Sequence, residues 1–222
     1  MPIKLEAKLI NRLLEQPESG MGYQIVNVET RTQWLTKEAI VLNAELLLYL
    51  DDTKEFQIFS TAKTFDEIKK SASVSTNIVD LKVKPRYKLE KFSMVRETPF
   101  PYSAKSSPVE LTEFGERFKR FTGFKNDLRI NSDGSLKPGT YATTEEDARN
   151  VKIRTDAIKR YALPAGNTAQ YVFTIKPLKD IEIKKGIVQS NFGQHGGGVE
   201  IFFVNGTSPK TVALPPEEVP EK

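Results

Sequence analysis

The 222-residue chain contains no cysteine. That absence excludes disulfides, thiolate metal sites and cysteine nucleophiles together. Histidine is nearly missing as well. His195 stands alone, so a multi-histidine zinc site is excluded and little remains for a Ser–His hydrolase. Long hydrophobic runs are also lacking: the best apolar stretch, residues 39–50, is broken by Glu45 and falls short of the roughly 18 residues a membrane span requires. Residues 1–6 mix charge with apolar side chains and present no signal-peptide core. The expected location is therefore the cytoplasm, or outside the cell by a leaderless export route, with no membrane partner. Charge of one sign is scarce too. Residues 1–100 carry 15 basic and 14 acidic side chains and the remainder 18 and 15, so no basic block exists to release counterions from a nucleic acid, and nucleic acid is not indicated.

What is present suits a folded domain. Hydrophobic residues make up 38% of the chain, and a chain of this size buries roughly 70% of its extended surface without a metal or a covalent staple. Residues 1–96 read as a small α+β scaffold or partner-binding module. Leu5, Leu9, Leu13 and Leu14 recur at helical spacing, and Pro17-Glu18-Ser19-Gly20 stops them. Residues 23–28 alternate like a half-buried strand, residues 39–50 supply a second apolar segment, and 56–59 and 78–83 add shorter strands. Thr64, with Glu67 three residues on, marks the start of a short helix over 64–70.

Residues 97–135 read as a linker followed by an amphipathic helix. Proline and serine dominate 97–108. Ser107, Pro108 and Glu110 then suit the N-cap, the first turn and a capping box, while Leu111, Phe114, Phe118 and Phe121 fall on one helical face that Gly123 ends. Residues 136–214 change texture to short elements: a strand over 137–143, helices over 145–151 and 155–161, and strands over 171–175, 181–188 and 199–204. A mainly antiparallel sheet follows, so the fold class of the chain is α+β. Residues 215–222, rich in proline and charge, are predicted to fray.

The segment with chemical content is Asn191-Phe192-Gly193-Gln194-His195-Gly196-Gly197-Gly198-Val199-Glu200. Three consecutive glycines cost conformational entropy and are kept where a backbone turns sharply or approaches a ligand closely. A strand follows them rather than a helix, so the phosphate-cradling Walker and Rossmann arrangements are excluded. A plain flexible hairpin and a ligand loop both remain open on these residues alone.

Residues 137–212 resemble the NAD-glycohydrolase domain of the tuberculosis-necrotizing-toxin (TNT) family, found at the C-termini of bacterial polymorphic toxins and related in fold to ADP-ribosyltransferases. Pro138-Gly139-Thr140, Arg160-Tyr161-Ala162-Leu163-Pro164, residues 171–178, Gly186-Ile187-Val188 and residues 192–200 carry the resemblance, in the family's order and spacing. It implies cleavage of the nicotinamide–ribose bond of NAD, with NAD as substrate and no cofactor or metal. It makes Gln194 the counterpart of a catalytically important glutamine and Arg160 that of an arginine lining the NAD site. Glu200 joins Gln194 as a catalytic candidate, and Tyr171, Phe192, Gly193, His195, Gly196, Gly197 and Gly198 join Arg160 in contact with the nucleotide. An immunity or other partner protein would meet the N-terminal module. Tyr141-Ala142-Thr143-Thr144 replaces the arginine the family has after its Pro-Gly-Thr, and Gln170 or Tyr171 stands near its histidine.

Each residue also has a plainer role open to it. Gln194 could satisfy loop backbone, His195 could be merely exposed, and Glu200 could be a surface carboxylate between Val199 and Ile201. Arg160 could serve a helix C-terminus, and Tyr171 could be core. Two further functions stay open beside the hydrolase: an ADP-ribosyltransferase using Glu200, and a non-catalytic binding module.

Overall fold

The computed structural model describes residues 2–30, 38–49, 64–74, 78–84 and 103–222. Among them two sheets form, each strand run drawn from one stretch of chain. The first comprises β1 (Ile3–Lys4), β2 (Tyr23–Thr30), β3 (Glu38–Leu42), β4 (Leu46–Tyr49), β5 (Ser73–Val74) and β6 (Ile78–Val83), in the order β5-β1-β4-β3-β2-β6. Only β1 and β5 run parallel. Between β3 and β4 the chain turns at Asn43 and Ala44, both at positive φ, with the Glu45 N–H donating to Leu42 O. Two successive left-handed residues match the twist of a hairpin, and asparagine tolerates that conformation. The apolar segment over 39–50 is thus a hairpin. Its strand β3 is buried on both faces: Ala39 and Val41 join α1 (Ala7–Leu14) through Leu9 and Leu13, and Ile40 and Leu42 join α2 (Phe65–Ser71) through Phe65 and Ile68. Thr64 caps α2 as expected, accepting the Glu67 N–H while Glu67 accepts the Thr64 N–H. The strand expected over 56–59 lies outside the described residues.

The second sheet comprises β7 (Glu110–Leu111), β8 (Phe118–Thr122), β9 (Thr140–Thr144), β10 (Tyr171–Ile175), β11 (Glu182–Ile187), β12 (Val199–Phe203) and β13 (Glu217–Glu218), in the order β13-β10-β8-β9-β12-β11-β7. All its pairings are antiparallel. One face packs Phe118, Phe173, Ile201 and Phe203 into a core. The other carries Phe121, Tyr141 and Phe202 and lies under α4 (Arg154–Arg160), with α3 (Glu145–Ala148) beside it.

Two expectations give way here. The amphipathic helix drawn through residues 107–123 is instead the edge strand β7 and the strand β8, preceded by a 3-10 turn (Ala104–Ser106). Phe114, placed on the helix's apolar face, is 91% exposed. The physical reason is Arg120. It alternates inward with Phe118 on β8 and is fully buried, because it donates to both Glu18 and Asp127 and to the Tyr141 carbonyl. A charged residue at a core position disguises a two-residue period. The tail does not fray either: β13 pairs with β10, Val219 is buried, and its carbonyl accepts from the Arg154 side chain.

The Arg120 pairs also join the two sheets, since Glu18 precedes β2. Arg129 adds to this seam by donating to the carbonyls of Leu13, Leu14 and Gln16 at the C-terminal end of α1, where Gln24 also donates to Leu13 and Gln16. Burial works against charge at both arginines. At Arg120 the flanking carboxylates outweigh it and raise the pKa, whereas at Arg129 burial prevails and lowers it.

Candidate functional site

Strand alternation puts Glu200 and Phe202 of β12 on the helix-covered face, where Phe202 lies opposite Tyr141 of β9 and packs edge-on against it at 5.0 Å. Glu200 is only 3% exposed and accepts the Ala104 N–H at 2.7 Å. It is therefore not an outward-facing surface carboxylate. Tyr161, just past the end of α4, stacks on Phe121 with ring centroids 5.4 Å apart. Glu200, Tyr141, Tyr161 and Val188 line one side of a cavity, and Gly20, Met21 and Tyr23 line the other. Its volume is about 10 Å³, room for a single water molecule.

Asp147 gathers polar groups around the hydroxyl of Tyr161, one of the cavity's lining residues. Its carboxylate accepts from Arg160 Nε at 2.9 Å and from Arg160 Nη2, from the Tyr161 hydroxyl at 3.0 Å and from the Thr143 hydroxyl at 3.3 Å. Thr144 holds Asp147 in place by accepting its N–H as the cap of α3. The hydrogen bond from Arg160 to Asp147 raises the arginine's pKa, with burial opposing it. Burial first, then the Asp147 charge, pushes the Tyr161 phenol well above its ordinary value, so it remains a neutral donor. Arg160 spends two of its three nitrogens on Asp147, leaving Nη1 without a hydrogen bond among the described residues.

The triple glycine has a definite place. Gly196 N–H donates to Lys159 O, Gly198 N–H to Arg160 O, and Gly197 N–H to Val188 O, at 2.9–3.0 Å. The first two acceptors are carbonyls that the C-terminus of α4 leaves open. The bend seals the helix end and ties it to β11. Gly198 shows why a side chain is excluded: a Cβ there would stand 2.7 Å from the Tyr161 ring and 2.8 Å from Arg160 Cγ. All three glycine amides are consumed by protein carbonyls, so none is left aimed at a phosphate.

Of the residues singled out in the sequence, Glu200 lines the cavity, while Arg160 shares Asp147 with the lining residue Tyr161 and Gly198 lies against the Tyr161 ring. Phe192 and Gly193 form a two-residue turn at φ +52° and +70°, closed by reciprocal hydrogen bonds between Asn191 and Gln194. Phe192 packs edge-on against Tyr23, a cavity wall, at 5.3 Å, which sets Gln194 at the end of that turn, half-buried. His195 is exposed, and its carbonyl accepts from Ser190. Tyr171 is not brought in. It occupies the opposite face of the sheet, in the core with Phe118 and Phe173, where burial raises its pKa. Asp147 was missed in the sequence; the signal available was Thr144 as a helix cap three residues before it. Met21 was missed as well. Among the described residues no cluster of three or more metal-ligating side chains forms, and no helix is long and apolar enough to cross a membrane.

No family model and no curated protein sequence matches this chain. Among solved structures, that of Tne2 in complex with Tni2 aligns with 52% of this chain and 93% of its own, at 15% identity and a TM-score of 0.36. That score is too low to carry an argument about fold or function.

Proposed function

We propose that this chain cleaves the nicotinamide–ribose bond of NAD, as the TNT-like sequence of residues 137–212 implies, with a partner protein meeting the N-terminal module. One observation supports this above the others: Glu200, a buried carboxylate, lines a cavity with Tyr141 and Tyr161, and Arg160 and Gly198 stand behind Tyr161. In the reaction the C1′–N1 bond breaks and its electron pair goes to the pyridinium nitrogen, releasing neutral nicotinamide. No acid has to protonate that leaving group. A water oxygen bonds to C1′, and its proton passes to solvent. Glu200 supplies negative charge opposite the oxocarbenium-like transition state, Gln194 orients the water, and Arg160 Nη1 pairs a phosphate oxygen.

The experiment is release of nicotinamide from NAD by the purified full chain. Glu200→Gln should lower turnover by a factor on the order of 10²–10³ with the fold intact by circular dichroism. No release by the wild type at high protein concentration, together with no NAD binding by calorimetry, would refute the proposal. Ribosyl label passing from NAD to a macromolecule instead of water would identify a transferase using the same carboxylate. A specific observation favours a second reading, the non-catalytic binding module: every glycine amide of the bend is already spent. It predicts at most weak NAD binding and no nicotinamide release.

A further inference from the structure

Strands β8 and β9 pair at only two positions, Phe118↔Thr144 and Lys119↔Thr143. Past them the split is filled by the turn that precedes β2. Glu18 accepts the Tyr141 N–H at 3.0 Å, and the Met21 sulfur accepts the Phe121 N–H at 3.1 Å. Two strand amides that a neighbouring strand would otherwise satisfy are held by this turn. Its base is fixed, because Glu18 takes both terminal nitrogens of buried Arg120. Its tip is Gly20-Met21-Gly22, a single side chain between two glycines. Met21 is buried in one cluster with Phe121, Tyr141, Tyr161 and Phe202 and forms a wall of the cavity that Glu200 lines. The tip is also tied by the Asn167 side chain on the Met21 carbonyl, the Gly22 N–H on Glu18, the Asn43 N–H on the Gly22 carbonyl and the Tyr23 N–H on the Gly20 carbonyl, bonds that opening must break.

With Met21 in place the cavity of about 10 Å³ admits one water, whereas ligand pockets measure roughly 300–1,000 Å³. Methionine is unbranched and turns about three bonds. Gly20 and Gly22, the latter at φ +82°, absorb backbone rotation at no Cβ cost. We propose that the Gly20–Gly22 tip is an autoinhibitory wedge: it occupies the cleft over Glu200, and NAD enters when the tip swings out while Glu18 stays on Arg120. This inference rests on the NAD-cleaving function proposed above.

The chain has no native cysteine, so Met21→Cys places the only thiol at the wedge. Its reaction with a chromogenic aryl disulfide should proceed by local opening, at a rate insensitive to denaturant below the unfolding transition. Saturating ADP-ribose should speed it about tenfold, equal to about 1.4 kcal/mol. Hydrogen exchange of the amides of residues 20–23 in the wild type reports the same opening should the cysteine variant fail to fold. Labelling and exchange that occur only with global unfolding would overturn the wedge, as would ADP-ribose that binds by calorimetry and changes neither rate. A Met21→Ala variant that opens locally and binds neither NAD nor ADP-ribose would instead overturn the nucleotide function, and the gate with it. Local opening tells the two failures apart.

Discussion

Replacing Arg120 with methionine keeps most of the side-chain volume and removes the charge at the seam between the sheets. In the wild type this guanidinium makes two hydrogen bonds to Asp127, two to Glu18 and one to the Tyr141 carbonyl, all fully buried. The variant leaves two carboxylates inside the protein, with Arg129 the nearest remaining cation, 3.9 Å from Glu18. Breaking a buried pair by deleting one partner costs about 3–5 kcal/mol, a large share of the roughly 5–15 kcal/mol that holds a domain together. At about 2–4 °C per kcal/mol for a chain of this length, the melting temperature should fall by about 6–20 °C. Differential scanning calorimetry of both proteins at neutral pH measures it. The triple variant Arg120→Met, Glu18→Gln, Asp127→Asn should regain a substantial part of the loss, because most of the penalty lies in the orphaned charges rather than in the missing bonds. A single variant that melts within about 2 °C of the wild type, or a triple variant no better than the single, would refute the reasoning.

Gly198→Ala should destabilise by about 1–3 kcal/mol through overpacking, since its Cβ meets the Tyr161 ring and Arg160 Cγ below 3 Å; chemical denaturation measures it. Asp156 accepts the Lys152 and Ile153 N–H groups, and Asp133 accepts the Ser135 hydroxyl and N–H, and these bonds hold both carboxyls below the ordinary value of 3.8. A depressed folded pKa stabilises the protein above the unfolded value, and that stabilisation is lost as pH falls through the folded one. The melting temperature should therefore drop on acidification below about pH 4, and Asp156→Asn should make that drop shallower.

Where polarity followed position, the sequence was legible. Leu9 and Leu13 on α1, the Thr64–Glu67 capping box and the strands over 171–175 and 199–203 are found near where periodicity predicts them. The failures share a cause: groups whose partners are distant in sequence. Arg120 is held in the core by Glu18, 102 residues away, a partner that no local pattern announces. The last residues look free until β10 pairs with β13. Glu200 reads equally as exposed or buried, and the deciding neighbour, Ala104, is 96 residues off.

The same logic separates the two halves of the candidate site. Gly196, Gly197 and Gly198 could be read in sequence as costly and therefore purposeful, but their cost is met locally, by the end of α4 and by Val188. A glycine run that closes a helix explains itself without a ligand. Glu200 differs from them in lining the cavity itself, buried on β12. A carboxylate is expensive to bury, and the Ala104 N–H returns part of that expense. Under the proposed function the weight falls on Glu200 and Met21, which line the cavity together, and less on the glycines of the bend, which do not line it.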